Sequence, residues 1–202
     1  MLSKEEIRKL YMEDSEWERT SDSWKALIPN RNFNSLDITD ETELEYQQRL
    51  APRFYIPIEV IKQWLYPLYY NRNSINNYGW INYDNVHYIE STMNYKTLSE
   101  LYVIKKYQDY VNKISQCMAY NQFTCTKQDK EYWIKFSTWK VPPIILDVQS
   151  IPVTAIPNYA DIQGCWQLIE GHSRLGYLYS LQNCKLLTQN IHKVYILKYK
   201  NT

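Results

Sequence analysis

The sequence predicts an α+β fold with a helix-rich front and a sheet-rich back. Two stretches place apolar residues at helical spacing in the first part of the chain, one from Val60 to Leu68 and one from Leu98 to Ile114. Three short runs of strand-forming residues fill the last part: Ile144-Ile145-Leu146, Cys165 to Ile169, and Val194 to Leu197. The pattern changes near residues 120 to 132. The expected organisation is therefore a mainly helical region with a short hairpin over 1–125, packed on a small mixed-sheet unit over 126–202, the two forming one continuous fold.

A chain of 202 residues can bury a sizeable core without disulfides or a structural metal. Its 45% hydrophobic content is far from that of disordered chains. Charge is balanced, 23 basic residues against 22 acidic, so no global field draws the chain to DNA or to an anionic membrane. The segment from Gly171 onward is uneven, with Arg174, Lys185, Lys193, Lys198 and Lys200 and no acid, and reads either as a local anion-attracting face or as scattered solvated lysines. The first residues hold early acids and no signal-like apolar run, and no window approaches the about 20 apolar residues of a spanning helix. A cytoplasmic location and no membrane partner are expected. Cys117, Cys125, Cys165 and Cys184 are irregularly spaced without a Cys-x-x-Cys pair, and only three histidines accompany them, so reduced thiols are expected rather than a zinc site.

Taken in order, Ser3 and Glu6 have capping-box spacing ahead of Ile7, Leu10, Tyr11 and Trp17, which predicts a first helix. Residues 21–51 read as loop and turns, with a helix from about Glu41. Pro57 suits the first turn of a helix through Val60, Ile61, Trp64, Leu65 and Leu68, which Pro67 ends or kinks. Trp80 to Ile89 is rich in strand formers around Asp84-Asn85 and predicts a hairpin or two short strands. Thr97 and Glu100 have capping-box spacing, and Leu98, Leu101, Ile104, Tyr107, Val111 and Ile114 continue one helical stripe for about four turns, a pattern that points to core packing. His87 and His192 lie in or beside strand-like runs and read as packing or surface residues.

The chain has only four glycines, and Gly164, Gly171 and Gly176 fall close together. Glycine used so sparingly marks places where the backbone turns sharply or is approached closely. Gly171 follows the strand Leu168-Ile169, and Leu175, Leu178, Tyr179 and Leu181 after it have helical spacing. A strand, a tight turn and a helix N-terminus follow. Such a helix start offers unpaired N–H groups and the positive end of the helix dipole to an anion. Ser173 is either the N-cap or a hydroxyl donor to the ligand. Arg174 supplies a two-pronged donor suited to phosphate, and His172 a third donor or a proton carrier. Glu170 conflicts with a bound phosphate unless a Mg²⁺ ion stands between them, or unless it simply pairs with Arg174 or a lysine.

These residues resemble the ParB/sulfiredoxin-like superfamily, whose members carry a Gly-x-x-Arg phosphate loop between a strand and a helix. The similarity spans roughly Trp139 to Leu181, with Pro142-Pro143-Ile144-Ile145-Leu146 similar to the upstream strand. Sulfiredoxins need a cysteine where His172 stands, so sulfinic acid reduction is not expected. ParB proteins continue into a helix-turn-helix domain, and too few residues follow Arg174 for one. The wording is nearest to the Asp-Gly-His-Thr-Arg loop of free-serine kinases, here Glu170-Gly171-His172-Ser173-Arg174. The resemblance implies that Gly171, His172, Ser173 and Arg174 hold the phosphates of a nucleoside di- or triphosphate, and that Glu170, with His172, serves the catalysis and a Mg²⁺ ion. The base of that family has no counterpart that aligns, although Glu59 and Glu90 are carboxylates to hand.

Three readings follow. The first is a nucleotide- or phosphate-binding protein performing metal-assisted phosphoryl transfer or nucleotide hydrolysis. The second is a non-catalytic nucleotide-sensing or partner-binding module of a mobile element or defence system, whose aromatic N-terminal region meets a protein partner. The third is a group-transfer toxin that uses a dinucleotide.

Overall fold

The fold is α+β in a computed structural model that describes residues 6, 8, 9, 12–30, 41–117 and 120–200. The described chain divides into two compact units. Unit 1 takes residues up to 88 with 152–160 and the last residues from 199, and unit 2 takes 89–151 and 161–198.

Unit 1 is a set of short helices, most of them started by a polar side chain or a proline. Helix α1 is Asp14–Glu18 and contains Trp17, while most of the helix expected from Ser3 lies outside the described residues. Helix α2 is Asp22–Ala26, and the Ser21 hydroxyl accepts from the Trp24 N–H at 3.0 Å. Helix α3, Glu43–Leu50, is the one expected from about Glu41, and Thr42 and Glu45 form its capping box. Helix α4 is Ile58–Val60 with Pro57 as its N-cap, and it widens at once into a π-turn over Ile61–Leu65. Helix α5, Arg72–Tyr78, sits in the polar Asn-rich stretch, where Asn71 accepts from Asn73 and Ser74 at 2.9 and 3.3 Å. Local capping chemistry thus makes a helix where the apolar pattern is silent.

The core of unit 1 is aromatic. Trp24 and Tyr69 stack at 5.0 Å, and Trp64 meets Tyr78 edge-on at 5.7 Å. Several of the buried rings find a partner for their polar tips: Tyr69 donates to the Trp24 carbonyl at 2.9 Å, Tyr46 to the Leu27 carbonyl, and Trp64 to the Ser74 hydroxyl at 3.2 Å. Trp24, Tyr46, Trp64, Tyr69, Tyr78 and Tyr83 are all buried, so these rings form interior. Tyr55, by contrast, is an exposed ring of this region.

The hairpin expected over Trp80 to Ile89 does not form. Asn82 caps a 3₁₀ turn at Tyr83–Asn85, and one strand, β1, runs over Val86–Asn94. Ile81 and Tyr83 are buried in unit 1, where their packing outweighs the strand propensity of the run.

In unit 2 the stripe from Leu98 to Ile114 is two helices, not one. Helix α6 is Tyr95–Ser99, capped by Asn94 rather than Thr97, and helix α7 is Lys105–Ile114. Between them the chain is extended: Tyr102 pairs with an edge strand, its N–H donating to the Trp166 carbonyl at 2.9 Å and its carbonyl accepting from Leu168 at 2.9 Å. Asp161 stabilises the restart, accepting from the Lys105 N–H and from the Tyr102 hydroxyl, each at 2.7 Å. Helix α8, Lys127–Phe136, follows with Thr126 as its cap.

The strands expected in the back all form. They are β2 (Ile144–Asp147), β3 (Trp166–Glu170) and β4 (Ile191–Tyr199), with helix α9 (His172–Asn183) between the last two. The sheet order is β1-β4-β2-β3. Strand β2 runs parallel to β4 and antiparallel to β3, with Ile145 opposite Ile196 on one side and Leu168 on the other, so the sheet is mixed. Every residue of β2 is buried, as a central strand covered on both faces requires. Ile145, Leu168, Val194 and Ile196 join Leu98, Val111, Ile114, Trp133, Leu175 and Leu178 in one hydrophobic core. Helix α9 comes close to α7 at Gly176, where a Cβ would stand 2.7 Å from the Ile114 side chain. His192 is fully buried inside β4, bonded to Thr138 at 2.9 Å. Cys117, Cys125, Cys165 and Cys184 are not joined in disulfides. Among the described residues no helix is long and apolar enough to cross a membrane.

Candidate functional site

The strand, turn and helix expected around Gly171 are present. Strand β3 ends at Glu170, Gly171 takes φ +112°, and α9 begins at His172. That φ lies in the left-handed region that glycine alone enters freely. Space is limiting too: a Cβ on Gly171 would stand 2.6 Å from the Cβ of Pro143, so the Pro142-Pro143 step before β2 presses on the turn. Gly171 is the N-cap of α9, its carbonyl accepting from the Leu175 N–H at 2.9 Å. As N-cap, Gly171 has no side chain to offer the first N–H groups of this 12-residue helix, and the first turn holds no acid.

Ser173 is therefore not the cap. It sits inside the first turn, half-buried, and its hydroxyl shares a 2.8 Å hydrogen bond with the hydroxyl of Tyr110, which is exposed on α7. This hydroxyl pair stands beside the helix start.

Arg174 is turned back into the protein. Its guanidinium donates to the Val141 carbonyl at 2.8 Å and lies 3.7 Å from a carboxylate oxygen of Glu170, with about a fifth of its side chain exposed. The plainer reading of Glu170, an ion pair with Arg174, is the one the geometry displays. Burial raises the Glu170 pKa, while Arg174 and the Gly171 N–H pull it back. Burial likewise lowers the Arg174 pKa, offset by Glu170 and by Asp129 on α8.

His172 is buried against Tyr107 of α7, the ring centroids 4.4 Å apart, and its Nε2 has no hydrogen-bond partner. Burial, with the Arg174 charge adding to it, pushes its pKa down to about 4. The imidazole is neutral at physiological pH and enclosed, a poor position from which to carry protons to a ligand.

Glu170 supplies one carboxylate, already engaged by Arg174 and the Gly171 N–H, and no group of three His, Cys, Asp or Glu among the described residues is arranged to hold a metal. Glu59 belongs to unit 1, and Glu90 on β1 pairs with Lys193 at 2.9 Å. The basic stretch after Gly171 is largely paired as well: Lys198 lies 3.5 Å from Asp147, and Lys200 donates to the Asp84 carbonyl at 2.7 Å.

The sequence pattern did not reveal Tyr107, Tyr110, Val141 or Asp129 as parts of this site. Tyr107 carried a signal only as a member of the apolar stripe, and Tyr110 none. The Val141 carbonyl is a backbone group, which no residue pattern announces. No family model, no curated protein and no solved structure matches the chain.

Proposed function

We propose that this chain binds a phosphate ester, a nucleotide first among candidates, at the N-terminus of α9, and that the loop serves binding rather than phosphoryl transfer. One observation carries this reading: an αL glycine, which has no side chain to cap with, starts a 12-residue helix beside the Ser173–Tyr110 hydroxyl pair. The N–H groups at a helix start, the helix dipole and two hydroxyls together favour a phosphate oxygen. Binding without turnover is favoured because the two candidate catalytic groups are committed elsewhere. Glu170 is paired with Arg174, and His172 is buried and neutral against Tyr107. Arg174 contributes by fixing the turn.

The test is calorimetric titration with inorganic phosphate, ATP, CTP and GTP, with and without Mg²⁺, followed by a check for product. Saturable binding without product is expected. Ser173→Asp places a carboxylate in the first turn of α9, where the helix tolerates it and a phosphate does not. It should weaken binding at least about tenfold, roughly the 1.4 kcal/mol expected of one misplaced charge at this position. Absence of binding, or equal affinity in Ser173→Asp, would remove the reading; product release would replace it with the enzymatic one.

A further inference from the structure

Unit 2 also holds a groove of about 350 Å³ between the end of α8 and the start of β4. Tyr132, Phe136, Trp139, Lys140, Gln189 and Lys193 line it. Its volume is within the range of sites for small organic groups, about 300 to 1,000 Å³.

Its chemistry is mixed in a specific way. Tyr132 and Phe136 form a tilted ring pair 4.5 Å apart, and Phe136 is 40% exposed. Lysines surround the rings. Lys135 lies 5.0 Å from the centre of the Phe136 ring, Lys140 is exposed with no ion-pair partner among the described residues, and Lys193 is held by Glu90 at 2.9 Å. The two acids of α8 are engaged near its start, Glu131 with Lys127 at 4.0 Å and Asp129 with the Thr126 hydroxyl at 2.7 Å. Trp139 and Gln189 are spent on the fold, the indole N–H donating to the Lys193 carbonyl and the Gln189 amide to the Ile191 carbonyl, each at 2.6 Å.

Exposed aromatic faces interleaved with lysines are what a single strand of nucleic acid requires: bases stack on the rings and phosphates pair with the ammonium groups. A duplex, whose bases are already stacked, gains nothing from the rings. We propose that this groove binds single-stranded nucleic acid, with a base on the Tyr132–Phe136 pair and the flanking phosphates on Lys140 and Lys193. Glu90 acts as an internal competitor, occupying Lys193 until a phosphate displaces it. The proposal does not rest on the phosphate reading of the Gly171 loop.

Fluorescence anisotropy of the full chain with labelled oligouridylate and oligothymidylate tests it, with a hairpin duplex and free mononucleotide as competitors. Single strands should bind and the duplex and mononucleotide should compete poorly. Lys140→Ala should weaken binding and lower the slope of log affinity against log salt by about 0.7, the single-strand value for one phosphate contact. Phe136→Ala should reduce affinity at least about fivefold without changing that slope. Glu90→Gln should strengthen binding, an outcome that mere damage to the fold would not give. All three side chains are exposed, and an unchanged thermal transition will confirm that the variants fold. The proposal fails if no oligonucleotide binds, if the duplex or free mononucleotide competes as well as the single strand, or if Lys140→Ala and Phe136→Ala bind like the wild type. Ser173→Asp should leave oligonucleotide binding intact, which keeps failure of this site separate from failure of the loop.

Discussion

At the scale of single residues, the loop is set by three side chains that each face inward. Arg174 satisfies the Val141 carbonyl and the Glu170 carboxylate together. Arg174→Ala would leave both without it, and a loss of about 1 to 3 kcal/mol is expected in urea unfolding. Buried His172 and His192 have pKa values of about 4, below their unfolded value near 6.5. Between those limits the unfolded chain binds more protons, so stability is full above about pH 6.5 and falls as pH drops toward 4. Urea midpoints from pH 7 to pH 4.5 should decline, and His192→Gln should flatten the decline; a flat profile in the wild type would show that neither ring is enclosed. Part of this scale was readable in advance. Gly171 announced its turn because the backbone there needs a conformation few residues accept. The inward aim of Arg174 was not readable, because its acceptor is a backbone carbonyl far away in sequence.

At the scale of elements, the turn from β3 into α9 depends on Gly171 having no side chain. Gly171→Ala meets both a left-handed φ and Pro143 at 2.6 Å, so it should destabilise by about 2 to 4 kcal/mol and weaken any ligand at the helix start. The break between α6 and α7 depends on Asp161, which holds the Lys105 N–H and the Tyr102 hydroxyl. Asp161→Ala should cost about 1 to 2 kcal/mol and speed amide exchange in the first turn of α7; unchanged exchange there would show that the cap is dispensable. The strands of the back were legible because each is a short apolar run bounded by proline, glycine or polar residues. The break at Tyr102 was hidden, since an apolar stripe at helical spacing says nothing of an edge strand that captures one of its residues. Helix α5 was hidden for the opposite reason, because asparagine capping leaves no apolar signature.

At the scale of the whole molecule, Tyr46, Tyr69, Tyr78, Tyr83 and Tyr88 belong to the interior of unit 1. Burial raises the pKa of Tyr69, Tyr83 and Tyr88 well above the ordinary value near 10. A raised pKa stabilises the fold below the unfolded value and withdraws that support as pH rises past it. Ultraviolet titration should therefore show these phenols silent until a cooperative alkaline transition, whereas smooth titration near pH 10 would place them at the surface. The central claim, that the start of α9 receives a phosphate, is met most directly by amide NMR of the full chain during titration with phosphate and then with a nucleotide. The His172 and Ser173 N–H signals should move first and furthest, and in the Ser173→Asp variant the amides of His172 and of the substituted residue should move only at ligand concentrations at least about tenfold higher. Saturating nucleotide that leaves the two wild-type amides unmoved would contradict it.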